Sequence, residues 1–314
     1  MSFFASWVAR RVRGRVAAGW LGVHAAETVV HGALACAGRD QRPGVHLLPP
    51  APLPVETATL RNWRDGAARA LRANVVLRSS EYRVLPIDPP DLPPDDLREA
   101  ARLQVADALD FPVEDAAIDL LSVPTHQASQ RSQRFVVAAP NEPILRWLRQ
   151  CQQAELRLGA VDIPELAMRN LSVLAAGDSA HAFLHIGLRS TRLALIWRRE
   201  LCSFRQLDIS GTQLASAGEY EREPLLERLA LEIQRTVDAF SRQFSGIELE
   251  ALWLTSVHQP EAVADALATL ISQRVRHFAV EQYVDVQGGV AVVDVARGHD
   301  HLLAIGAALR QELH

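Results

Sequence analysis

Residues 183–197 read FLHIGLRSTRLALIW. An apolar run ends at Gly187, a short polar turn follows, and a second apolar run leaves it. Alternation around a glycine-containing turn is the signature of a β-hairpin. His185 stands two residues before the glycine. A second stretch of this kind, LGVHAAETVV at 21–30, places His24 two residues before Ala26. In both stretches an imidazole stands two residues before the turn.

The bulk numbers bound the answer. With 314 residues the chain is long enough for two domains with separate cores. Hydrophobic residues at 48% and charged residues at 22% are those of a globular protein. The formal charge of −4 argues against nucleic acid as a partner, because phosphate binders carry a basic excess. Cys36, Cys151 and Cys202 follow no spacing motif, which suggests reduced thiols and a cytoplasmic home. No apolar run reaches about 18 residues, so no transmembrane helix is expected.

The N-terminus, MSFFASWVARRVRGRVAAGW, has no acid; the first is Glu27. Phe4, Val8, Val12 and Val16 recur every four residues, with Arg10, Arg11, Arg13 and Arg15 among them. The pattern suits a basic amphipathic helix on an anionic membrane surface, or a terminal arm packed on its own domain.

Further along, 19–36 reads as a hairpin and 44–54 (GVHLLPPAPLP) as a proline-rich connection. Residues 57–73 have helical spacing at Leu60, Trp63, Ala67 and Leu71. Five prolines within 86–94 exclude a helix or central strand there. A helix follows, with Asp95 or Asp96 as cap and Leu97, Ala101, Val105 and Ala108 on its buried face. Strands over 116–124 and 134–140, a helix through Trp147 and Cys151, a strand to Ile163 and a helix opening at Pro164 come next. Beyond a turn at 175–181 lie three strands, then a helix over about 223–244. Its stripe of Leu226, Leu229, Ile233, Val237, Phe240 and Phe244 steps by three or four. Strands and helices alternate in both halves, so the class is α/β.

Chemical motifs are sparse. GxSxG, HExxH and the Walker A sequence are absent. His299-Asp300-His301 reads as a solvated helix start, since helical neighbours point about 100° apart and the two imidazoles would not share a metal. His181 and His185 share a strand face and read as structural. Glu114, Asp115 and Asp119 read as a turn and a solvated edge. No catalytic and no metal-ligating residue is expected.

Four stretches carry a resemblance: REAARLQVADALDFPVEDAAIDLLSVP (98–124), VDIPELAMRNL (161–171), LEIQRTVDAFSRQF (231–244) and AIGAALR (304–310). In this order they resemble the MshI proteins of MSHA pilus biogenesis. These are relatives of the PilM component of type IV pilus machines and of the cytoplasmic part of the type II secretion L protein. The resemblance runs from about Gly22 to Arg310. It implies an actin-like fold of two ribonuclease-H-like domains, 1–176 and 177–314, with a small α/β insertion at about 79–157 in the first. The 161–171 helix would close the first domain.

Many proteins of this fold bind ATP between their domains. Two hairpins hold the phosphates, each with an Asp and, two residues on, a Gly; a later glycine pair makes room for adenosine. Here His24 and His185 take the Asp places, and Ala26 and Gly187 the Gly places. Ser256-Val257 replaces the glycine pair. Imidazole does not substitute for a hard oxygen ligand of Mg²⁺, and Cβ atoms on Ala26 and Val257 crowd the backbone approach. The resemblance therefore implies a degenerate cleft in which Mg-ATP binding and hydrolysis are weak or absent. An active ATPase is the alternative, with Asp162 or Asp208 substituting; Asp162 reads better as a cap before Pro164. Direct anion contact by His24 and His185 as imidazoliums is a further alternative. The partner implied is the N-terminal tail of a PilN-like inner-membrane protein, in a groove walled by residues 81–87 and 116–123.

Overall fold

The computed structural model describes residues 19–40, 42–66, 72–88, 92–125 and 133–310. The basic N-terminal segment, residues 67–71 of the helix expected at 57–73, and most of the 125–133 loop lie outside the described residues.

The chain divides into two compact units. One comprises the described residues up to Leu77, Trp147–Asp162, and Ala279 onward; the other comprises Arg78–Arg146 and Ile163–Phe278.

The first unit is built on β1 (Trp20–Ala25), β2 (Val29–Cys36), β3 (Gly44–Pro52), β4 (Arg72–Val76) and β8 (Arg157–Asp162). Its sheet is ordered β14-β3-β2-β1-β4-β8, where β14 is Asp285–Gln287. The first three strands form an antiparallel meander, and β4 and β8 join parallel to β1. Helix α1 (Thr57–Arg64) buries Leu60 and Trp63, as their spacing predicts.

β3 corrects the expectation of a proline-rich connection. Leu48 pairs with Gly32 and Ala51 with Val30, so a bulge absorbs Pro49 and Pro50. Beyond His46, β14 no longer pairs with β3, so this end of the strand needs no donors on that side. Bulges and edges are where a sheet tolerates proline.

The second unit carries β9 (His181–Ile186), β10 (Thr191–Trp197), β11 (Glu200–Leu207), β12 (Leu252–Ser256) and β13 (Val275–His277), ordered β11-β10-β9-β12-β13. Three antiparallel strands are again followed by two parallel to the first. The two units thus repeat one strand order, the ribonuclease-H-like layout, without a sequence repeat. Helix α6 (Glu219–Gln243) lays its stripe on this sheet; Leu229 and Ile233 are fully buried. Helix α4 (Pro164–Ala176) packs on β9, β10 and β11. It therefore belongs to the second unit and does not close the first.

A three-stranded sheet, β5-β7-β6, lies within the second unit: β5 (Arg83–Ile87), β6 (Ala116–Ser122) and β7 (Arg134–Pro140). Helix α2 (Pro94–Val105) covers one face through Ala101 and Val105. Its N-cap is Pro93, not an aspartate. Phe135 and Val123 join the core of the large sheet, and Phe135 meets Phe204 of β11 edge to face at 5.6 Å.

The linear division expected from the sequence, 1–176 and 177–314, does not describe these units. Residues 279–310 return to the first sheet. There β14 pairs with β3, and the helix Leu302–Ala308 packs on β1, β2 and β4. Counting helices Asn141–Gln153 (α3), Gly211–Ser216 (α5), Pro260–Leu270 (α7) and Val280–Tyr283 (α8), this last one is α9. All seven of its residues are buried. Among the described residues, no helix is long and apolar enough to cross a membrane.

Gly22 is what lets α9 approach. A Cβ there would lie 3.0 Å from Ala308 Cα and nearer still to Ala304 O and Ala308 N, all backbone atoms that cannot swing aside. Gly22→Ala should cost at least about 2 kcal/mol, the scale of core overpacking. Denaturant unfolding checks this; a wild-type midpoint would refute the close contact.

Candidate functional site

The two hairpins singled out in the sequence occupy equivalent places in the repeated layout. His24 and His185 are each the penultimate residue of a first strand, β1 or β9. Ala26 and Gly187 each open the turn that follows. They belong to different units.

In the first turn, Ala26 N–H donates to Val29 O at 2.9 Å, closing the hairpin on itself. Glu27, next in the chain, is exposed. His24 pairs across the ladder with His31, their rings stacked at 6.1 Å.

The second turn is closed in the same way, with Gly187 N–H donating to Ser190 O at 3.0 Å. Its carbonyls are engaged as well. Gly187 O accepts from Gly211 N–H at 2.8 Å, and Leu188 O from Thr212 N–H and Oγ1 at 3.1 and 2.7 Å. The start of α5, capped by Ser210, is therefore clamped onto this turn. Ser256 and Val257 complete the clamp. Val257 N–H donates to Ile186 O at 3.0 Å, and Ser256 Oγ donates to His258 O at 2.8 Å. Any Cβ at Gly211 would collide with Val257 Cγ2. Val257 thus fills the space against Gly211 and is itself buried.

His185 is buried and faces Arg192 across the β9–β10 ladder. Arg192 is only 9% exposed. It donates to Ser190 Oγ at 2.9 Å and Ser79 Oγ at 2.5 Å, and its Nε lies 3.9 Å from Glu165 Oε1. Glu165, from α4, accepts a 2.8 Å bond from the Tyr82 hydroxyl. Burial, and then the Glu165 charge, push the Tyr82 phenol well above its ordinary range. The cation behind this hairpin is therefore already matched by a carboxylate. Sequence reasoning missed this group, because its members lie on four separate segments.

His181 lies four residues before His185 on β9. It is fully buried, with Nδ1 2.7 Å from Ser179 O, and burial lowers its pKa.

The acids considered as substitutes do other things. Asp162 does not cap α4; its N-cap is Ile163, without a side-chain bond. The Asp162 carboxylate turns into the first unit, accepting from Arg310 Nη1 at 2.6 Å and Asn74 Nδ2 at 3.2 Å. Asn74 also donates to Ala307 O at 3.2 Å, so the pair anchors the end of α9. Asp208 is exposed, and its main-chain oxygen accepts from Arg228. Glu114 and Asp115 sit in a single 3₁₀ turn, and exposed Asp119 lies 3.6 Å from Arg98.

His299-Asp300-His301 is a correction. His299 and Asp300 form the short strand β16, after β15 (Val293–Asp294), and the helix begins only at Leu302. The strand turns both imidazoles toward His31, with ring centroids 5.7 and 4.8 Å away, and His301 is fully buried. Among the described residues, no three His, Cys, Asp or Glu side chains are placed to hold a metal ion.

Arg310→Met, which keeps the aliphatic stem and removes the charge, should cost about 3 kcal/mol by taking the cation from the buried Asp162 carboxylate. Asp162→Asn in the same chain should recover part of that loss. Urea unfolding of the two single variants and the double variant measures the coupling; additive losses would refute the pair.

Comparison with protein-family models gives no match, and comparison with curated proteins gives none either. Solved structures do match. The chain is similar to a chain of the PilM-PilN type IV pilus biogenesis complex, with TM-score 0.66 and 21% identity, covering 94% of this chain and 98% of that one. It is also similar to the cytoplasmic domain of EpsL, an inner membrane component of the type II secretion system of Vibrio cholerae. There the TM-score is 0.51 and the identity 12%, over 94% and 96% of the two chains. With the strand order repeated in both units, these likenesses give the chain an actin-like fold.

Proposed function

We propose that this chain is a non-catalytic scaffold of a type IV pilus assembly platform. It is a PilM-like, MshI-type subunit on the cytoplasmic side of the inner membrane that docks the N-terminal tail of a PilN-like membrane protein. The observation that carries this reading is the match, along nearly the whole of both chains, to a chain of the PilM-PilN complex. The hairpin chemistry supports the non-catalytic part. Neither Asp place holds a carboxylate, the opening N–H of each turn is spent on closing it, and Val257 occupies the space a glycine would leave.

For the tail, residues 81–87 and 116–123 supply β5 and β6, the two outer strands of the small sheet. An outer strand carries N–H and C=O groups that an extended peptide pairs with. Pro86 removes one donor from β5, which leaves β6 the fuller ladder of donors.

Calorimetric titration with the N-terminal peptide of the PilN-like neighbour, and separately with Mg-ATP, tests the proposal. Saturable heat with the peptide and none with the nucleotide is expected. Tight Mg-ATP binding would overturn the degenerate cleft, and absence of peptide binding would overturn the docking role. The basic N-terminus supplies a second contact in this reading, with anionic lipid. Removing residues 1–18 should lower co-sedimentation with anionic vesicles several-fold and leave peptide binding unchanged.

A further inference from the structure

His31 lies in β2, only 1% exposed, opposite the Pro49–Pro50 bulge of β3. Three imidazoles surround it: His24 from β1, His299 from β16, and His301 at the head of α9, at centroid distances of 6.1, 5.7 and 4.8 Å. Two hydrogen bonds tie this group together. His31 Nε2 accepts the Asp300 N–H at 3.2 Å, so the His31 proton sits on Nδ1. His301 Nε2 lies 3.1 Å from Leu48 O; a carbonyl only accepts, so His301 donates from Nε2. The Nδ1 atoms of His31, His299 and His301 are buried without hydrogen-bond partners.

The charges facing His31 come from few elements. Asp300 on β16 favours its protonation; His299 and His301 oppose it. β3 presents the Leu48 carbonyl, and α9 is wholly apolar (LLAIGAA). α1 presents the Trp63 ring against Gly32, while its Arg61 and Arg64 bond to residues 153–155. Asp294, at the end of β15, and Arg297, beyond it, pair with each other.

We propose that this cluster is a proton-operated latch: a proton taken up from solvent at His31 Nε2 displaces the Asp300 N–H, and β16 with the head of α9 lifts from the first sheet. An imidazolium has two donors and no acceptor, so it cannot keep the Asp300 bond. The neighbouring imidazoles discourage a second positive charge in the same space. The tail of α9 stays tied through Ala307 to Asn74 and through Arg310 to Asp162, which confines the movement to the head.

Burial, and then His301, hold the His31 pKa down to about 4, from an ordinary 6.5. A histidine lowered in the closed state binds its proton more tightly in the open one. The closed state's advantage is therefore complete above about pH 6.5 and shrinks as pH falls toward 4. Between pH 7.5 and 5.0 the open fraction should grow roughly thirty-fold.

Hydrogen exchange on the full chain, corrected for the intrinsic rate at each pH, reads this directly. Amides of residues 299–305 should lose about thirty-fold in protection from pH 7.5 to 5.0, while those of β9–β11 hold. His31→Gln keeps an acceptor near the Nε2 position but does not titrate, and should leave only the shallower response of His301, which burial also holds down. Asp300→Asn keeps the backbone N–H but removes the anion that favours the proton in the closed state, so the loss should begin at the same pH and continue below the wild-type limit near pH 4. An equal loss across both units, or a His31→Gln response as steep as wild type, overturns the latch. If His31→Gln does not fold, an Asp300→Asn loss that levels off at the same pH as wild type overturns it instead.

Discussion

A helix can lie against the middle of a sheet at backbone range only where no side chain stands between them, and Gly22 meets that condition for α9. The first unit depends on this approach. Its sheet is assembled from three separated stretches of chain, and α9 touches β1, β2, β3 and β4. Each end of the helix is then fastened by polar bonds, His301 to Leu48 at the head and Arg310 to Asp162 at the tail. Backbone contact supplies the closeness, and the hydrogen bonds fix the register. A glycine that looked in the sequence like the lead residue of a phosphate hairpin is thus required by packing.

The two hairpins share a layout and differ in what surrounds them. Strand order, direction and turn position agree between the units, yet the side chains at matching places have gone separate ways. His24 belongs to a group of imidazoles, whereas His185 lies in a strand buried at all six positions and faces an arginine already matched by Glu165. A ligand hairpin needs donors aimed outward. Here the donors at the start of each turn are aimed inward, which favours a fixed shape over a binding site.

Local pattern was legible wherever local physics decided the outcome. The α6 stripe follows from the 3.6-residue period, and both hairpins follow from alternation around a turn. β3 was not legible, because three prolines within four residues normally end a strand, and only a bulge facing His31 accommodates them. The composition of the units was hidden for another reason: β14 pairs with β3 across some 240 residues of chain, and no local signal reports that. The imidazole group was half legible. A turn at 26–29 pairs His24 with His31 by simple counting, but His299 and His301 were given a helical period one step too early. The Tyr82, Glu165 and Arg192 group left no trace in the sequence, since neither spacing nor composition links its members.

The route of the chain also bears on how the molecule is made. The last strand and helix of the first unit are translated only after the whole of the second unit. During synthesis the β1–β4 sheet therefore emerges early and waits, its α9 face uncovered, while Ile163–Phe278 can fold to completion. A ribosome that stalls between residues 279 and 300 would release a chain with one finished half and one apolar sheet face open to water. That face stays open until residues 302–308 have been made and have left the ribosome.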